Sequence, residues 1–159
     1  MAFSEKNETS YRPTNDDCLM RSVTLPNFCK VCIEGLWLSL LRRVNLVDSV
    51  KEGCKQTFPE GGSGTAGWVK TIDLELIPLA QFRDRVVDDE SYTIKWRKGR
   101  TILKDFTNKT RIEIADVEAL GTYFVSVDFA TPEVRVDKDR RLSMNFAYQV
   151  KDTCATLAR

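Results

Sequence analysis

The spacing of apolar side chains changes along the chain, and the changes divide it. Residues 1–17 are dominated by Ser, Glu, Lys, Asn, Thr and Asp with no sustained apolar period, which predicts a flexible polar arm. Cys18-Leu19-Met20-Arg21 is a short apolar turn, followed by a loop through Pro26. From Cys29 to Val50, the residues Ile33, Leu36, Trp37, Leu40, Leu41, Val44 and Val47 recur at three- and four-residue spacing. That period lays a broad apolar face on an amphipathic helix over 29–50. Asn27 stands where an N-cap is expected, and Gly53 where such a helix would have ended. Residues 18–54 therefore read as a Cys-rich turn and a helix that needs a partner surface, on the rest of the chain or on a second copy in a homodimer.

Residues 55–66 include Pro59-Glu60-Gly61-Gly62-Ser63-Gly64, a Gly/Ser linker by composition, natural or introduced in place of a longer loop. Beyond it the period becomes two. Trp68–Ile77 alternates into a strand that stops at Pro78. Further strands are expected at Tyr92–Arg97, Thr101–Leu103, Thr110–Ile114, Thr122–Phe129, Glu133–Val136 and Ser143–Val150. Lys98-Gly99-Arg100, Leu120-Gly121 and Asp137-Lys138-Asp139 are the turn signals between them, the last read as a hairpin tip. Short strands with no helix between them predict a mainly β fold: an immunoglobulin-like antiparallel sandwich over 67–150, with a tail at 151–159. Trp96, in Ile94-Lys95-Trp96-Arg97, takes the place of the central core tryptophan of such a domain. Tyr123 takes the tyrosine-corner position, and Val125 stands where antibody domains carry their second core cysteine. No disulfide is expected at that core position; Trp37, Trp68, Trp96, Tyr123 and Val125 are the candidate core.

Composition narrows the functions. The 159 residues are 42% hydrophobic and 30% charged, as in an ordinary globular protein. Lys+Arg 24 against Asp+Glu 23 leaves a net charge of +1, too little to condense on phosphate, so no nucleic-acid partner is expected. The apolar run Val31–Leu41 is interrupted by Glu34 and Ser39 and is too short to span a bilayer. The chain contains no histidine, which removes the commonest general base and the commonest zinc ligand together. No cofactor and no metal are expected.

Five cysteines, Cys18, Cys29, Cys32, Cys54 and Cys154, are dense for a reduced compartment. They are read as structural disulfide candidates that tie the helix in a secreted protein whose signal peptide lies outside this chain. Asn7-Glu8-Thr9 and Asn108-Lys109-Thr110 are glycosylation sequons, making Asn7 and Asn108 candidate acceptors. Cys29-Lys30-Val31-Cys32 opens the predicted helix and so has one feature of a thiol–disulfide redox motif, without a βαβ context; as half a zinc site it lacks a second CxxC, the other cysteines being scattered singly without histidines. Asp16-Asp17 and Asp88-Asp89-Glu90 read as solvated loop acids.

Asn15-Asp16-Asp17-Cys18-Leu19-Met20-Arg21, followed by Phe28-Cys29-Lys30-Val31-Cys32, resembles the segment after the zinc site in the IgA-peptidase family of metzincin-like zinc metallopeptidases, the fungal members above all. Tyr92–Arg97, Asp105–Arg111 and Phe129–Asp137 resemble the C-terminal β-domain of the same family, so the likeness runs over about residues 14–150. The resemblance implies that Met20 is the Met-turn methionine, which lies under the zinc without coordinating it. It also implies that 29–50 closes the catalytic domain and that 67–150 is the appended immunoglobulin-like domain. The family's HExxH zinc motif would lie ahead of residue 1. Without histidine this chain cannot hold catalytic zinc in that way. The expected function is a non-catalytic accessory or binding module of a secreted metallopeptidase-like protein, not an enzyme. It would act by protein–protein or glycan contact, with a protein partner or the missing catalytic domain. A thiol–disulfide oxidoreductase using Cys29 and Cys32, and a structural or antigenic surface protein, are the alternatives.

Overall fold

The computed structural model describes residues 2–5, 8–11, 18–58, 67–79 and 88–154. The chain forms two compact units: residues 1–44 with 131–141, and residues 45–130 with 142–159. The second is the expected β-sandwich. One sheet orders β3 (Val47–Thr57), β4 (Gly67–Leu76) and β7 (Arg111–Ala115). The other orders β6 (Thr101–Ile102), β5 (Ser91–Lys98), β8 (Gly121–Ala130) and β9 (Ser143–Val150), and every pairing in both is antiparallel. Relative to the constant-type immunoglobulin order, the short fourth strand β6 has moved to the sheet that holds the third, sixth and seventh strands.

The core follows the period of two. Ile72 and Leu74 of β4, Ile112 of β7, Ile94 and Trp96 of β5, and Tyr123, Val125, Val127 and Phe129 of β8 are buried. Trp96 lies directly across from Val125, and its indole Nε1 donates to the Lys109 carbonyl at 2.9 Å. Tyr123 closes the tyrosine corner, its hydroxyl donating to the Ala119 carbonyl at 2.9 Å from α2 (Asp116–Ala119). Trp68 shares the phase of Lys70, Ile72 and Leu74 but is only half-buried at the start of β4. Trp37 is buried, but in the smaller unit.

The helix expected over 29–50 is α1 (Lys30–Leu41), and its N-cap is Cys29 rather than Asn27. Val44 and Val47 continue its three-residue spacing by coincidence. The chain instead turns through Arg42 and Arg43 and enters β3 at Val47, where β-branched Val47 and Val50 sit well on a pleated surface. Gly53 does not end a helix. It lies inside β3 opposite Thr71, and a Cβ there would meet the Thr71 hydroxyl oxygen at 2.6 Å, so the close approach of the strands requires glycine.

Three other expectations change. Ala2–Glu5 (β1) and Glu8–Tyr11 (β2) pair as an antiparallel hairpin within the expected polar arm; Thr9, Tyr11 and Phe3 favour extended backbone, which a composition reading of the arm overlooks. Glu133–Val136 is loop rather than strand, because the N–H groups of Arg135 and Val136 go to the Glu34 carboxylate instead of a strand neighbour. The linker candidate is shorter than 55–66, since β3 runs on to Thr57; Pro59–Gly64 and Asn7 fall outside the described residues. No helix among the described residues is long and apolar enough to cross a membrane.

A disulfide joins Cys54 of β3 to Cys154, a few residues past β9, at a sequence separation of 100 and with Cα atoms 5.6 Å apart. It lies in the sandwich and does not tie the helix. Asp116 supports it: its Oδ1 accepts the Cys154 N–H at 2.7 Å.

Candidate functional site

The smaller unit concentrates unusual chemistry in a short length of chain. Cys18, Cys29 and Cys32, expected as bridge partners, are free thiols. The Cys18 and Cys32 sulfurs stand 3.6 Å apart, within thiol hydrogen-bond reach, against roughly 2.05 Å for a disulfide. All three sulfurs lie within 4.8 Å of one another. Local structure sets this up. The N–H groups of Arg21 and Ser22 donate to the Cys18 carbonyl at 2.8 and 3.0 Å, closing a tight turn. Leu19 N–H then donates to the Asn27 carbonyl at 2.7 Å, folding that turn back towards the start of α1.

The thiols are electrostatically unlike. Cys29 N–H donates to the Cys18 sulfur at 3.2 Å, and this bond above all draws the Cys18 thiol down to about 7. Cys32 is pushed up to about 12, chiefly by hydrogen bonding to the sulfurs of Cys29 and then Cys18, which hold its proton. The ionising sulfur is thus Cys18, outside the CxxC pair. It is also only 2% exposed, a poor position from which to attack a substrate disulfide.

A second cluster fixes α1 to the loop 131–141 inside the same unit. Glu34 Oε1 accepts the backbone N–H groups of Arg135 and Val136 at 2.8 and 2.9 Å, and its Oε2 accepts from Arg135 Nη2 at 2.7 Å. Trp37 Nε1 donates to Glu133 at 2.6 Å. A cleft of about 580 Å³ runs alongside, walled by Val31, Leu38 and Arg42 of the helix region and Val136, Lys138 and Arg141 of the loop. The Asp137–Arg141 stretch is the connection from β8 to β9, with Asp137 Oδ1 accepting the Arg141 N–H at 2.8 Å.

The Arg135 guanidinium and the two backbone donors hold the Glu34 carboxyl below the usual carboxylate range. A carboxyl lowered in the folded state binds protons more readily unfolded. Its contribution is therefore present above the ordinary value of about 4.5 and lost as pH falls through the lower folded value. The Arg135 and Val136 amide resonances should titrate with a midpoint below 4.5, and Glu34→Gln should abolish that step; a midpoint at or above 4.5 would contradict the clamp.

The other candidate residues are dispersed. Met20 is 73% exposed in the Cys18–Arg21 turn. Asn108 is exposed beyond the short 3-10 turn Lys104–Phe106, and its Oδ1 accepts the Ile94 N–H at 3.0 Å. In the sandwich, the outer face of the four-stranded sheet carries a depression of about 490 Å³ lined by Ile102, Phe124 and Arg97 among others. The Arg97 guanidinium caps the Phe124 ring at 4.3 Å.

One site went unread in the sequence. Lys70 is 1% exposed within the sandwich, its Nζ 2.6 Å from Glu52 Oε2 and donating to the Asp152 carbonyl at 3.0 Å. Tyr148 donates to the other Glu52 oxygen at 2.7 Å, and burial, with the Glu52 contact, pushes its hydroxyl up to about 12. The signal was present: Lys70 is in phase with Ile72 and Leu74. Compared with family models, curated proteins and solved structures, the chain has no match.

Proposed function

We propose that this chain is a non-catalytic contact module, the C-terminal portion of a secreted metallopeptidase-like protein of the IgA-peptidase type, and that it acts by docking on a protein partner. The observation that carries this reading is where apolar surface lies. Met20, Val23, Val31, Leu36, Leu40 and Val136, more than half of the large apolar side chains exposed among the described residues, belong to the smaller unit. Leu36 and Leu40 are four residues apart, hence one above the other on α1, and are 52% and 46% exposed. An exposed apolar pair stacked on one helix face is the kind of surface that a partner covers.

The resemblance supplies the partner's identity: a catalytic domain carrying HExxH, closed by this helix and seated over Met20. The exposure of Met20 supports that role, since a Met-turn methionine is covered only when the zinc-bearing half is present. The Cys54–Cys154 bridge supports an oxidising, extracellular setting, and the free thiols Cys18, Cys29 and Cys32 weigh against it. The lowered Cys18 thiol is the one observation favouring the oxidoreductase reading, and its burial weighs against turnover.

The test is a binding measurement between this chain and a separately produced HExxH-bearing catalytic domain of the IgA-peptidase type. A one-to-one complex that the Leu36→Glu/Leu40→Glu double variant weakens at least a hundredfold is the expected result. No complex, or one indifferent to the double variant, would overturn the reading. Self-association of the chain alone, lost in the same variant, would make the partner a second copy and overturn the catalytic-domain assignment.

A further inference from the structure

The Cys18 turn and the start of α1 bring three sulfurs together where a disulfide would use only two. We propose that Cys18, Cys29 and Cys32 form a three-thiolate site for a thiophilic d10 cation, zinc(II) in the first instance. The spacing fits. A tetrahedral zinc with Zn–S near 2.3 Å sets its sulfurs roughly 3.8 Å apart, and here one pair stands at 3.6 Å with all pairs inside 4.8 Å. The supporting shell is also built. Cys29 N–H points at the Cys18 sulfur at 3.2 Å, the kind of outer contact that orients a thiolate ligand. Cys29 caps α1 and Cys32 lies in its first turn, so the backbone N–H groups and dipole at that end offset negative sulfur.

The donor set selects the ion. Three sulfurs suit zinc(II) or copper(I) and reject magnesium and calcium, which require oxygen. Access selects the role. Cys18 and Cys29 are 2% and 7% exposed while Cys32 is partly open, so a small cation can enter on the Cys32 side but a protein disulfide cannot reach the inner sulfurs. Binding zinc(II) forms three Zn–S bonds, releases up to three thiol protons and leaves the site with one net negative charge. A fourth position remains for water or a small thiol. The role is structural: the ion would lock the 18–21 turn to the first turn of α1. It stands independently of the docking proposal.

The test uses the full chain, isolated anaerobically with a phosphine reductant, stripped of metal and titrated with cadmium(II), whose thiolate charge-transfer absorption reports sulfur ligation. The expected result is saturation at one ion per chain, with zinc(II) abolishing the band. Cys18→Ser and Cys32→Ser should each weaken binding at least tenfold, while Cys54→Ser/Cys154→Ser should bind as wild type does. Cys32, the more open position, keeps the comparison valid if Cys18→Ser misfolds. Displacement of cadmium by copper(I) but not by zinc(II) would keep the thiolate site and overturn its assignment to zinc. Absence of the band, or its full retention in Cys32→Ser, would overturn the site. So would a disulfide among these three cysteines in peptide maps of chain isolated without reductant.

Discussion

Replacing Cys54 and Cys154 together with serine should destabilise the sandwich by about 4–5 kcal/mol, the loop-closure contribution of a bridge whose ends are 100 positions apart. The geometry explains why this bridge matters. It ties the first strand of the three-stranded sheet to the chain just past the last strand of the four-stranded sheet. Both ends of the sandwich sequence are thereby held in the unfolded chain as well. Cys154 is 1% exposed and its N–H is bound to buried Asp116, so the segment is anchored even when the sulfur is removed. The variant should remain folded, with its melting point lowered by roughly 20 °C, a large share of the stability typical of a domain this size. Calorimetry on both proteins decides it. A loss below about 1 kcal/mol would mean that the unfolded chain is not restrained by the bridge.

Trp96→Ala should cost about 3–5 kcal/mol, the range for deleting a buried tryptophan. The ring is 1% exposed at the centre of the β5–β8 pairing, opposite Val125. Its loss also strips the Lys109 carbonyl of the indole donor at 2.9 Å. Tyr123→Phe keeps the packing and removes only the hydroxyl on Ala119, so about 1–3 kcal/mol is expected. Urea denaturation of the two variants orders them. Equal losses would imply that the corner hydrogen bond, rather than ring volume, organises this core.

The sandwich could be anticipated because its strands alternate cleanly and because two residues, Trp96 and Tyr123, have roles tied to one architecture. Both occupy those roles. The boundary at Val47 could not be anticipated, because Val44 and Val47 satisfy a helical period while the structure uses Val47 in a strand paired with β4. Long-range pairing overrode local spacing. Glu133–Val136 failed for the opposite reason: its alternation is strand-like, yet the Glu34 carboxylate captures two of its N–H groups from far along the chain.

The cysteines show the same limit more sharply. Their number and density were visible, but which sulfurs meet depends on where β3 and the tail lie in space. The bridge therefore fell to the two isolated cysteines, Cys54 and Cys154, and the dense trio remained thiols. Likewise Lys70 stands in the apolar phase of β4, but its partner Glu52 belongs to β3, a strand with no clean alternation whose start overlaps the helical period over 29–50.

Amide hydrogen exchange, followed with and without the catalytic domain proposed as partner, probes most directly whether this molecule works by seating another protein against α1. Slowed exchange confined to 18–44 and 131–141, with the Phe124 face of β8 unchanged, is the outcome required. Protection appearing instead on the outer strands of the sandwich, or nowhere, would contradict it.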